Sequence, residues 1–119
     1  LPLFSNRPTI IAEVGVNHEC NNKNVYRLIN DAKISGADAI KFQSYKTEKF
    51  VSMNSPAYWD TSKEKTRSQY DLFKKYDKFN FKDYKKFYHY CNKKKIIFMT
   101  TLFDNESIFH RNMISPVFC

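Results

Sequence analysis

Lys41 is the residue that most invites a chemical reading. It lies between Ile40 and Phe42 in the run Ala39-Ile40-Lys41-Phe42-Gln43, and a cation inside an apolar strand is costly unless something pairs with it. A phosphate or carboxylate ligand would justify it. So would Glu13, the acid near the end of the earlier run Thr9-Ile10-Ile11-Ala12-Glu13-Val14. The remaining reading is a Lys41 at the strand end whose aliphatic stem carries the ammonium out to solvent. Gln43, two residues on and therefore on the same strand face, could hydrogen-bond a polyol or satisfy loop backbone. Glu13 could bind a sugar hydroxyl or a metal-bound water, or serve only as the structural partner of Lys41. Asn17 and His18 follow in a polar loop, where both residue types can face a ligand and both are ordinary turn formers. Thr101, just before Asp104, is a candidate anion contact through its hydroxyl, although Thr is common at strand ends.

Other constellations carry less. His18 and Cys20 place two metal-ligand types close together, but structural metal sites need a second ligand cluster, and none follows. Cys20, Cys91 and Cys119 form no CxxC pair and read as reduced thiols.

These residues need elements that bring them together. The β-branched run 9–14 after Pro8 reads as a buried strand broken by Gly15. Asn21 or Asn22 can cap a helix whose Val25, Leu28, Ile29 and Ala32 fall on one apolar stripe. Gly36 sits where a left-handed residue ends a helix. Residues 39–43 form the second strand, completing a βαβ unit with parallel strands. Residues 44–65 lack periodicity and read as a long loop with room for a short hairpin; loops of that size are usually functional. A helix is expected over 66–76, carrying Tyr70, Leu72 and Phe73. Another starts near Asn80, with Asp83 completing a capping box and Phe81, Tyr84, Phe87, Tyr88 and Cys91 at helical spacing. Residues 96–101 are the third strand. Ligands of parallel α/β folds bind at the C-terminal strand ends, which is where Glu13, Lys41, Gln43 and Thr101 fall.

Composition bounds the alternatives. The chain has 119 residues, enough for one small domain, with 42% hydrophobic and 27% charged residues. Its longest apolar runs are a few residues, too short to span a membrane, and no basic segment followed by an apolar one opens the chain. The cytoplasm is the expected compartment. The formal charge of +8 raises a second reading, a small basic module that binds nucleic acid or an acidic protein through its Lys/Tyr/Phe helices. Lys, Asn, Phe, Tyr and Ile are enriched along the whole chain, however, as AT-rich codon usage would produce, so nucleic acid is not the expected partner.

Ile10-Ile11-Ala12-Glu13-Val14-Gly15-Val16-Asn17-His18-Glu19 resembles the opening strand and loop of the N-acetylneuraminate (sialic acid) synthase family. Gly36-Ala37-Asp38-Ala39-Ile40-Lys41-Phe42-Gln43 is similar to its second-strand motif, and Phe98-Met99-Thr100-Thr101-Leu102-Phe103-Asp104 to its third. The resemblance covers roughly residues 8–108. It implies an α/β fold, part of a TIM (β/α)₈ barrel comprising about the first three β/α units, and an enzyme. That enzyme condenses phosphoenolpyruvate with N-acetylmannosamine or a related 2-acetamido hexose, giving a sialic acid and phosphate. It further implies a homodimer and a divalent metal, Mn²⁺ or Mg²⁺, whose ligands lie outside these motifs. Carried over motif by motif, Glu13 and Lys41 would be the catalytic residues. Lys41 and Thr101 would contact phosphoenolpyruvate, Gln43 the acceptor sugar, and Asn17 and His18 the rim.

Three positions depart from the family pattern: Cys20 and Lys95 stand where Gly is usual, and Leu102 where Pro is usual. Residues 109–119 diverge, so 1–108 are expected to be barrel and 109–119 a tail. Three parallel strands close nothing and leave sheet edges unpaired, so the chain is expected to be a barrel portion, inactive alone.

Overall fold

The structure is a computed structural model and describes residues 6–111. In chain order it comprises β1 (Ile11–Gly15), α1 (Asn22–Ile34), β2 (Ala39–Ser44), α2 (Thr47–Phe50), α3 (Gln69–Lys75), α4 (Phe81–Lys94), β3 (Ile97–Leu102) and α5 (Asn105–Arg111). The strands form one parallel sheet in the order β1-β2-β3, as a βαβ start requires.

Local chemistry explains the elements that flank the sheet. Asn21 accepts the Lys23 amide and so satisfies one orphan donor of α1. Val25, Ile29 and Ala32 are buried along one face, with Leu28 packed against them. Gly36, at φ +83°, lets the chain turn out of the helix into β2. α4 begins with the reciprocal box: Asn80 accepts the Asp83 amide and Asp83 accepts that of Asn80. It buries Phe87 and Cys91. Phe42 of β2 lies at the centre of the core, fully buried, with Phe98 of β3 5.4 Å away and Phe87 6.0 Å away, ring centroid to centroid.

The segment between β2 and α4 differs from its sequence reading. Residues 47–50 form a turn of helix because two distant carboxylates hold its entry. Asp104 accepts the Lys46 amide at 2.7 Å, and Asp77 accepts that of Thr47 at 2.9 Å. Neither partner is local, so no periodicity could signal the turn. Farther on, an isolated antiparallel bridge joins Pro56 and Ser68, with the Ala57 amide donating to the Arg67 carbonyl and the Gln69 amide to that of Ser55, so the hairpin closes just beyond residue 65. α3 is shorter than 66–76: Ser68 accepts the Asp71 amide and fixes the start, and none of its residues is fully buried. Residues 112–119, most of the tail expected from the sequence and Cys119 with it, lie outside the described residues. Among the described residues, no helix is long and apolar enough to cross a membrane.

Lys95 closes α4 at φ 55° and ψ 46°, a left-handed conformation. A Cβ there costs roughly 1–2 kcal/mol, partly offset by the entropy a glycine loses on folding. Lys95→Gly is therefore expected to stabilise the fold by roughly 0.5–1 kcal/mol in urea unfolding. Cys20 is also left-handed, at φ 53°, but its thiol donates to the Tyr76 carbonyl oxygen at 2.8 Å. Cys20→Gly should gain less, because it loses that bond. A Lys95→Gly protein no more stable than the parent would remove the strain account.

Candidate functional site

Strand register assembles most of the residues singled out in the sequence. Glu13 pairs with Lys41 across β1 and β2, and Gln43 pairs with Thr101 across β2 and β3. Alternation places these four on the sheet face opposite Ile40 and Phe42, towards the C-terminal strand ends. Lys41 Nζ lies 2.8 Å from Glu13 Oε2, and the other carboxylate oxygen accepts the Gly15 amide at 3.1 Å. The Glu13–Lys41 reading as a cross-strand pair is thus what the geometry contains. Their side chains stay 46% and 30% exposed, so the pair adds little stability and both charges remain within reach of a ligand.

β1 is irregular where the site needs it. The register shifts between Glu13 and Gly15, and Gly15 adopts φ +53°. Rather than merely ending the strand, Gly15 is its last residue and turns its N–H onto Glu13. From the helix side, the Tyr84 hydroxyl of α4 donates to the Gln43 carbonyl at 2.8 Å, and Ser44 and Thr100 share a hydroxyl hydrogen bond at 2.8 Å. These contacts brace the ends of β2 and β3 from behind. Tyr84 carries no sequence signal for this role, since its helical spacing reads simply as core. Burial pushes its phenol well above the ordinary range.

His18 is a correction. It was expected at the rim, yet it is buried, with 1% of its surface exposed. Successive turns from Val14 to Asn21 roll the loop back under the strand, helped by left-handed Glu19 and Cys20. The imidazole packs on Phe79 at 4.9 Å and Phe42 at 6.2 Å, which puts it on the helix side of the sheet, away from Lys41. Its Nδ1 accepts the Cys20 amide at 3.0 Å, while its Nε2 has no hydrogen-bond partner among the described residues. Burial lowers its pKa to about 4. Asn17 stays exposed in the same loop. The structure therefore brings together Glu13, Lys41, Gln43 and Thr101, leaves Asn17 at the surface, and removes His18.

The basic runs are partly neutralised in place. Lys74 pairs with Glu48, Lys75 with Glu64, and Lys86 with Asp83. Cys20 and Cys91 are free thiols. Among the described residues, no group of three His, Cys, Asp or Glu side chains could hold a metal ion. Glu13 has no further His, Cys, Asp or Glu grouped with it that would complete a ligand set, so these residues do not by themselves fit the divalent ion that the resemblance implies.

The model of the NeuB family matches residues 28–116. The chain belongs to the NeuB family. Relatives within it include two N,N'-diacetyllegionaminic acid synthases. The one from Legionella pneumophila is 35% identical over 83% of this chain and 28% of its own length. The one from Campylobacter jejuni is 35% identical over 83% of this chain and 30% of its own length. This NeuB-family chain thus spans less than a third of the curated relatives it matches. Among solved structures it is similar to the N-acetylneuraminic acid (sialic acid) synthetase of Leptospira borgpetersenii serovar Hardjo-bovis in complex with citrate. That likeness has a TM-score of 0.75 and 31% identity, over 92% of this chain and 34% of that one. The resemblance to sialic acid synthases is borne out, and the parallel sheet with its helices is part of a TIM barrel.

Proposed function

We propose that this chain supplies the first strand ends of the active site of a synthase that condenses phosphoenolpyruvate with a 2-acetamido hexose of the N-acetylmannosamine type. The observation that supports this reading is the Glu13–Lys41 pair at 2.8 Å, with Gln43 and Thr101 on the same face. Lys41 is a mobile point charge on a partly exposed stem, suited to the phosphate or carboxylate of phosphoenolpyruvate. Thr101, across from Gln43 on the same face, offers a hydroxyl. The Gln43 amide both donates and accepts, which suits a polyol or an acetamido group. Glu13 holds Lys41 and can accept from a sugar hydroxyl once Lys41 turns to the anion. Asn17 completes the rim. In the reaction C3 of phosphoenolpyruvate bonds to the aldehyde carbon of the sugar, whose oxygen becomes a hydroxyl; a water adds at C2, and the C2–O bond to phosphate breaks to release inorganic phosphate and leave the keto group.

Binding and turnover separate under this proposal. Purified chain is expected to bind phosphoenolpyruvate in a calorimetric or NMR titration. It is expected to release no phosphate from phosphoenolpyruvate and N-acetylmannosamine with Mn²⁺, because the described residues hold no metal group. Failure to bind phosphoenolpyruvate would remove the proposal, and phosphate release would refute the claim of inactivity.

A further inference from the structure

Gly15 is usually the sort of residue explained by its backbone alone, and here that explanation is insufficient. Its φ of +53° is matched in the following loop by Glu19 at 52° and Cys20 at 53°, and again by Lys95 at 55°. This chain therefore carries side chains at the same conformation elsewhere. What distinguishes Gly15 is what a side chain would meet. A Cβ built on it lies 3.6 Å from Gln43 Nε2 and 3.8 Å from Glu13 Oε1, between the two polar groups of the site. At Gly36, by contrast, nothing lies within 4 Å of such a Cβ.

We propose that Gly15 is a specificity-determining residue of the sugar subsite, its bare Cα keeping open the gap between the Glu13 carboxylate and the Gln43 amide. This rests on the synthase reading above and assigns to that gap a polar substituent of the acetamido sugar, a hydroxyl or the acetamido group. The arrangement has two parts. The missing side chain leaves the approach clear, and the Gly15 N–H holds one oxygen of Glu13 so that the other faces Lys41. A methyl at this position makes ordinary van der Waals contact with both neighbours, so it costs the left-handed strain of any side chain at this φ but no clash, and it takes the space a ligand atom needs.

The test compares Gly15→Ala with Gly36→Ala, which carries left-handed strain of the same kind at φ +83° but fills no gap. Each chain is titrated separately with N-acetylmannosamine and with phosphoenolpyruvate, and its folding is checked by a thermal melt. Gly15→Ala is expected to lose sugar affinity tenfold or more while holding phosphoenolpyruvate affinity within twofold. Gly36→Ala should change neither. In the unsubstituted chain, which needs no variant to fold, the Gly15 amide resonance should shift with the sugar while that of Gly36 does not. Sugar affinity within twofold of the parent in Gly15→Ala, or a Gly15 resonance that ignores the sugar, overturns the assignment. Binding of phosphoenolpyruvate without sugar overturns it too, while leaving the phosphoenolpyruvate part of the synthase reading in place. Binding of neither ligand ends both.

Discussion

Acid is expected to weaken the fold through His18, with stability falling by about 3 kcal/mol as pH drops from 6.5 towards 4. The sign follows from where the proton can go. Above pH 6.5 the imidazole is neutral in both the folded and the unfolded chain, and His18 adds no pH dependence. Between 6.5 and 4 the unfolded chain takes up a proton that the folded chain refuses, at a slope of up to about 1.4 kcal/mol per pH unit. Below 4 both forms carry it, and this contribution levels off. The refusal has a structural cause: the ring is buried against Phe42 and Phe79, where a charged imidazolium would lose its water. His18→Leu should cost about 1 kcal/mol at pH 7 through the lost acceptor, yet flatten the profile between pH 6.5 and 4. Urea unfolding of both proteins across that range decides it. Equal slopes in parent and variant would assign the acid sensitivity elsewhere.

Replacing Lys41 with Met is expected to lower phosphoenolpyruvate affinity by roughly tenfold to a hundredfold, the equivalent of one charge-assisted hydrogen bond. Met keeps most of the stem's length and removes only the ammonium. Because the pair with Glu13 is substantially exposed, the same change should shift stability by less than about 1 kcal/mol, so the variant stays folded for the measurement. Glu13→Gln provides the opposite sign. It removes the carboxylate that competes for Lys41, and phosphoenolpyruvate should bind more tightly. Lys41→Met binding like the parent would reduce the Glu13–Lys41 pair to a structural contact.

What the sequence disclosed and what it hid divide along the range of the interactions involved. α1 and α4 were readable because their caps, stripes and ends are local: Asn21, Val25, Ile29 and Gly36 for one, Asn80, Asp83 and Phe87 for the other. The site face was readable because period-two alternation puts Lys41 and Gln43 together, and parallel order puts Glu13 beside them. His18 was not, since its fate depends on Phe79, sixty-one residues on, and on a loop that folds under the strand. α2 was hidden for a similar reason, its entry being held by Asp77 and Asp104. The left-handed turns at Cys20 and Lys95 were visible only as places where the family's usual Gly had been replaced. At both positions a side chain now stands in a conformation that costs it more than it would cost glycine.

The sheet's register also favours one order of assembly over the other. Ile11 pairs with Ala39, and Ala39 in turn with Ile97, so the second pairing closes about twice as much chain as the first. Doubling a flexible loop adds only about 0.6 kcal/mol of closure entropy. Pairing of distant segments nonetheless slows folding, because that entropy is lost before the contacts form. The β1–α1–β2 unit has the shorter closure and the strongest local signals, so it can form first. Phe42 would then present a ready surface on which Phe98 and Phe87 arrive together. On that path Lys41 and Glu13 meet early, and the half of the site that holds Thr101 is completed last.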